Sequence, residues 1–184
     1  MVGSEELAMT YGLDTELMHG PPYNVLFLSK DNAGRSILAE SLLSHWGHTR
    51  FRAFSAGPRP TRSVNRLAHE ILRNVQLCPP GLRSKSWSEF LRPSAPALAF
   101  EITVCNVAAA DASPSWPGKP LTAHWAVSDP SERLGSLTEQ VTAFYSAFRI
   151  LQHRIRIFTD LPITAMQRDI LQRRLVQIGK MPFR

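Results

Sequence analysis

The sequence is short of cysteine, of metal-ligand spacings and of long apolar runs, and each shortage narrows what the chain can be. Only Cys78 and Cys105 occur among 184 residues. Two distant thiols make no disulfide framework, so both are expected to be free. No CxxC or HxxxH spacing is present, so a zinc site is not expected. No stretch approaches the roughly 20 apolar residues of a membrane-spanning helix. Met1–Met18 carries Glu5, Glu6, Asp14 and Glu16 and no basic residue, unlike the basic start of a signal peptide. A cytoplasmic protein with no membrane partner is expected. Internal repeats and low-complexity segments are also lacking.

What is present is the composition of a globular domain, with 43% hydrophobic and 20% charged residues. The net charge of +6 raises the question of nucleic acid. The basic residues are scattered, as in Arg50, Arg52, Arg59, Arg62, Arg66 and Arg73. Local clusters fall only at Arg149–Arg156 and Arg173–Arg174, on expected helices. Without zinc-finger spacing or an aromatic RNA-binding signature, they read as a solvated basic surface, and no nucleic-acid partner is expected.

Residues 1–22 read as an N-terminal extension that ends in Gly20-Pro21-Pro22. Residues 23–184 read as a single domain. Tyr23–Leu28 is a short apolar run of strand formers, the pattern of a buried parallel strand. A small polar loop, Ser29–Ser36, follows, and then a helix through Ile37, Leu38, Ser41, Leu42 and His45, closed by Gly47. Further strands are expected at Phe51–Ala56, Phe100–Cys105 and Leu121–Val127, with a helix over Val64–Val75. Leu137–Phe158 carries an apolar stripe at Leu137, Val141, Phe144, Phe148, Leu151, Ile155 and Phe158, with a Ser136/Glu139 capping box. The last helix is expected to begin near Thr164 with Gln167 as reciprocal cap, to bury Met166, Ile170, Leu171, Leu175 and Ile178, and to end at Gly179. Strands alternating with helices imply a doubly wound α/β fold, a mainly parallel four-stranded sheet with helices on both faces. Ligands of such sheets sit at the carboxyl ends of the strands. Ser29, Cys105 and Asp129 all follow expected strands.

The loop between the first strand and its helix has the makings of an oxyanion cradle. Its backbone N–H groups and the helix N-terminus favour an anion. Arg35 brings a planar guanidinium able to hold two oxygens at once. Lys30, Asp31, Asn32, Ala33, Gly34, Arg35 and Ser36 are the candidate anion-binding residues.

The segment VLFLSKDNAGRSILAE, Val25–Glu40, resembles the phosphate-binding loop of low-molecular-weight protein tyrosine phosphatases and of the arsenate reductases that share their fold. The reductase branch is the closer. Similar segments follow in order: Phe54-Ser55-Ala56-Gly57, Gly81–Trp87, Ile102–Cys105, Trp116-Pro117-Gly118, Thr122–Trp125, Asp129-Pro130 and Gln172–Gly179. The resemblance covers residues 23–180. It implies an anion such as phosphate, sulfate or arsenate in the loop, no resident cofactor and no metal. For an active member it also implies a thioredoxin- or glutaredoxin-type partner.

The resemblance also exposes departures. Ser29 stands where the family has its nucleophilic cysteine, and Ser113 where a second redox cysteine follows. Asp31 replaces a family glycine. Arg35 and the general-acid position, Asp129, are kept, and Cys105 matches a cysteine that some reductases use. A cysteine among N–H dipoles ionises readily, whereas a serine hydroxyl there stays protonated without an adjacent base. Serine cannot close a disulfide cycle. Asp31 weakens anion binding if it faces the site.

Plainer roles stand beside these. Asp129 can open a turn before Pro130, and Cys105 can be a core thiol. His124 and Trp125 can pack the sheet edge, and Trp46, Trp87 and Trp116 can simply pack. Ser29 has two origins, a deliberate Cys→Ser exchange or natural drift; the changes at Ser113 and Asp31 favour drift. Three functions stay open: a pseudo-enzyme that binds an oxyanion or phosphorylated ligand, an active reductase or phosphatase, and a scaffold with a vestigial cradle.

Overall fold

Four strands, β1 (Tyr23–Leu28), β2 (Phe51–Ala56), β3 (Phe100–Thr103) and β4 (Leu121–His124), form one parallel sheet in the order β2-β1-β3-β4. The computed structural model describes residues 20–47, 49–106 and 114–183. The proposed extension, residues 1–22, therefore lies almost wholly outside the described residues. The strand formers of β1 place it at the centre, with Val25–Leu28 fully buried. Leu28 stands level with Ala56 on one side and Thr103 on the other, and Thr103 with His124. All four strands therefore end at one edge, as expected. Chain order reverses around β1, so the loop after β1 sits at the topological switch point.

Four α-helices lie wholly within the described residues: α1 (Arg35–Trp46), α2 (Arg66–Asn74), α3 (Leu137–Thr159) and α4 (Arg168–Lys180). Their apolar faces join Val25, Phe27, Phe100 and Ile102 in one core. The 3-10 helix Trp87–Leu91 lies on the opposite face, where Phe90 and Trp116 cover Leu26 and Leu28. This alternation along β1 is the period-2 pattern of a strand buried on both faces. Trp125 is fully buried and donates to the Leu175 carbonyl at 3.0 Å. Trp46 is 40% exposed and lies under Arg156. Among the described residues, no helix is long and apolar enough to cross a membrane.

Several boundaries differ from the sequence reading. β3 and β4 stop at Thr103 and His124, although parallel pairing continues as isolated bonds, Trp125 N to Thr103 O and Val127 N to Val104 O. Pro162 first makes a 3-10 turn at Ile163–Ala165, so Gln167 becomes the N-cap of α4 instead of a reciprocal cap. Ile170 is 38% exposed rather than buried. Gly179 does not end α4. A Cβ there would lie 2.2 Å from the His124 carbonyl oxygen, so glycine lets the helix touch β4. Arg154, expected on a solvated basic surface, is buried and donates to the Ala126 carbonyl, and burial pushes its pKa down.

The capping box of α3 is present: Ser136 Oγ accepts from the Glu139 N–H, and Glu139 Oε2 accepts from the Ser136 N–H at 2.8 Å. These bonds hold the Glu139 carboxyl below its usual pKa. Leu137 is 57% exposed, so the first turn carries the cap more than the core. Ser136→Ala is expected to cost about 1 kcal/mol in urea unfolding. An unchanged midpoint would mean that the cap contributes nothing.

Candidate functional site

The loop Ser29–Gly34 is held from outside by its carbonyls. Lys30 O accepts from Arg59 N at 3.0 Å, Asp31 O from Thr61 N at 2.9 Å, and Ala33 O from Asn65 N at 2.9 Å. Ser84 Oγ adds a second bond to Asp31 O. Every described peptide is trans, and in a trans peptide the N–H points opposite to the C=O. Three outward carbonyls therefore turn the N–H groups of Asp31, Asn32 and Gly34 inward. Asn32 makes the bend in the left-handed region, φ 47°, which its short polar side chain tolerates.

That side chain also ties the loop down. Asn32 Nδ2 donates to Ser36 Oγ at 2.9 Å and to Ser55 Oγ at 2.8 Å, while Asn32 Oδ1 accepts from the Lys85 N–H at 2.7 Å. Beneath lies a buried ion pair, Lys85 Nζ to Glu40 Oε2 at 2.9 Å. Ser55 Oγ donates to the same Glu40 oxygen. Glu40, Ser55 and Lys85 were not among the sequence candidates. Their only signal was membership of segments that resemble the family. Asn32 and Ser36 hold the loop's shape.

Ser29 is fully buried, and its Oγ lies 2.7 Å from Ser36 Oγ. Cys105, 1% exposed, accepts the Lys30 N–H on its Sγ at 3.3 Å. The Lys30 N–H is thus turned to sulfur, and its side chain is exposed. Ser113 lies outside the described residues.

Arg35 differs most from the expected fork. Its Nη1 donates to the Val127 carbonyl at 2.9 Å and its Nη2 to Asp129 Oδ2. Asp129 Oδ1 meanwhile accepts from the Ser131 N–H at 3.0 Å. Asp129 is thus both a turn opener and the partner of Arg35. Asp31 Oδ1 accepts the Ala33 N–H at 3.3 Å. Asp31, Ala33, Gly34, Arg35 and Asp129 line one small crater with Asn65, Pro130, Ser131 and Phe144. The space left between them is about 10 Å³, room for one water. A phosphate-sized anion needs more room than that. A larger cleft of about 470 Å³ shares Asp129 and Pro130 and runs along α3 past Thr138, Thr142, Ser146 and Ile150. Among the described residues, no group of three or more His, Cys, Asp or Glu is placed to hold a metal.

No protein-family model and no curated protein matches the sequence. Solved structures do. An arsenate reductase from Archaeoglobus fulgidus aligns at TM-score 0.58 and 18% identity, over 74% of this chain and 99% of that one. The thioredoxin-dependent arsenate reductase of Corynebacterium glutamicum aligns at TM-score 0.52 and 27% identity, over 83% of this chain and 69% of that one. The tyrosine phosphatase Wzb from Escherichia coli K30, in complex with sulphate, aligns at TM-score 0.60 and 17% identity, over 76% of this chain and 98% of that one. The chain has the fold that these arsenate reductases and tyrosine phosphatases share.

Proposed function

We propose that this protein binds an oxyanion, free or carried on a phosphorylated ligand, in the Ser29–Ser36 loop, and that it is an arsenate-reductase- and low-molecular-weight-phosphatase-like protein without thiol-based turnover. The observation that carries this reading is the ring of outward carbonyls at Lys30, Asp31 and Ala33, which turns N–H groups inward beside Arg35. Such convergent N–H dipoles at a helix N-terminus favour negative charge. They do not depend on the side chain at position 29.

The missing turnover follows from chemistry. Among the described residues, the hydroxyl of Ser29 meets another hydroxyl, Ser36, and no general base. Activation of a serine nucleophile needs such a base. Cys105 lies below the loop as a thiol that takes the Lys30 N–H, so it shapes the loop instead of attacking a bound anion. Asp129 lines the crater and, once released from Arg35, meets the ligand there in this reading. A thioredoxin- or glutaredoxin-type partner belongs only to the active alternative.

Amide NMR during titration with phosphate and arsenate tests the binding, and arsenite and aryl-phosphate assays test the turnover. Saturable shifts confined to Asp31–Ser36, without arsenite production in thioredoxin or glutathione systems, are expected. Robust arsenite production would establish the active reading. Silence of these amides at millimolar anion would leave the scaffold.

A further inference from the structure

We infer that Asp31 makes the loop selective for tetrahedral oxyanions that carry a proton, such as phosphate and arsenate, and excludes fully deprotonated ones such as sulfate. The inference rests on the anion-binding reading above and names the ligand class of that same site.

The charge of the crater is the first ground. Its ionisable lining is Arg35, Asp31 and Asp129; Asn65, Ser131, Phe144 and Pro130 are neutral. One guanidinium against two carboxylates leaves the lining with a net negative formal charge. Attraction therefore comes from the N–H dipoles, and a full second charge on the ligand is opposed.

The hydrogen-bonding character of Asp31 is the second. An ionised carboxylate only accepts. Asp31 lines the crater, and its Oδ1 accepts the Ala33 N–H of the same loop. An anion that enters must face this carboxylate or displace it. An oxygen bearing a proton donates to Asp31 and turns the contact into a short charge-assisted bond. Sulfate has no proton to give at neutral pH, so its oxygen meets the carboxylate as acceptor against acceptor. Selectivity built on one unsatisfied buried contact amounts to roughly tenfold to a hundredfold. The fold does not impose this exclusion, because the structurally similar phosphatase Wzb is described in complex with sulphate. The discriminating group must belong to this chain, and Asp31 is the carboxylate built into the loop itself.

The test is calorimetric titration of the full chain with phosphate, arsenate and sulfate at one fixed near-neutral pH and ionic strength. Wild type is compared with Asp31→Asn and Asp31→Gly. Asparagine keeps an oxygen for the Ala33 N–H and adds a donor, and glycine removes the group. Circular dichroism checks that each variant is folded. Wild type is expected to prefer phosphate and arsenate over sulfate by roughly tenfold or more. Both variants should bring the anions within about threefold, mainly by gaining sulfate affinity. Equal affinities in wild type, or selectivity that survives both substitutions, would overturn the inference and leave the anion-binding reading standing. If neither wild type nor either variant binds any of the three anions, the inference and that reading fall together.

Discussion

Exchanging Lys85 for methionine is expected to cost about 3–5 kcal/mol, the range for breaking a buried ion pair by removing one partner. The side chains of Lys85 and Glu40 are only 9% and 13% exposed. Methionine fills most of the lysine stem's volume, so the loss is electrostatic and not a cavity. Glu40 would keep its bond from Ser55 but lose its cation. Glu40→Leu combined with Lys85→Met removes both charges and is expected to recover most of the loss, because the desolvation cost disappears with the pair. Urea unfolding of the two single variants and the double variant measures this directly. A single variant that loses less than about 1 kcal/mol, or a double variant as unstable as the singles, would contradict the assignment of a buried, coupled pair.

The same substitution has a readout at the loop. Lys85 is joined to the loop by its backbone, through its N–H to Asn32 Oδ1, and by its ammonium, through Ser55 and Glu40. Losing the ammonium leaves the backbone tie intact. Loop amides should therefore shift modestly while global stability falls sharply. A collapse of the loop without global destabilisation would reverse that order of dependence.

The unequal success of the sequence reading has a physical basis. β1 and the loop after it were legible because a fully buried strand and a small polar turn have local signatures: apolar continuity at Tyr23–Leu28, then Ser29–Ser36. The core of α3 was legible because Phe144, Phe148, Leu151, Ile155 and Phe158 repeat with helical period, and all five are buried. The start of α4 was misread because Thr164 and Gln167 form a locally valid cap pattern. Pro162 and the core packing of Ile163 selected a 3-10 turn there instead. Gly179 was misread because the reason for glycine is a contact with β4, residues distant in sequence.

The site divided in the same way. Asn32, Arg35 and Ser36 could be found in the loop itself, and Asp129 through its resemblance to a family position. The partner of Arg35 could not be inferred. Its engagement by Asp129 and the Val127 carbonyl depends on where the chain runs after β4. The Lys85–Glu40 pair joins residues 45 apart in sequence, and no local pattern encodes such a meeting. Whether Asp31 faces the site was posed by the sequence as a condition; Asp31 lines the crater, and its carboxylate takes the Ala33 N–H.

Gly57→Ala is expected to cost about 3 kcal/mol, the upper end for overpacking, and to distort the cradle as it does so. A Cβ at Gly57 would lie 2.4 Å from Ser29 O, 2.8 Å from Lys30 O and 3.0 Å from Asn32 N. All three are backbone atoms of the loop, so no side chain can rotate to make room. Nor can residue 57 easily withdraw: its N–H donates to Lys85 O and its carbonyl accepts from Trp87 N, both at 3.1 Å. The added methyl must therefore push the loop, and the carbonyl ring at Lys30, Asp31 and Ala33 is what moves. Glycine is required here for close backbone approach, as the turn after a parallel strand meets the loop that it supports. Two measurements follow. The urea midpoint should fall, and the amide shifts of Ser29–Ser36 should move far more than those of α4. Phosphate should then perturb those amides weakly or not at all. A Gly57→Ala protein within about 1 kcal/mol of wild type, with loop amides in place, would mean that the loop yields without cost and that its shape does not depend on this contact.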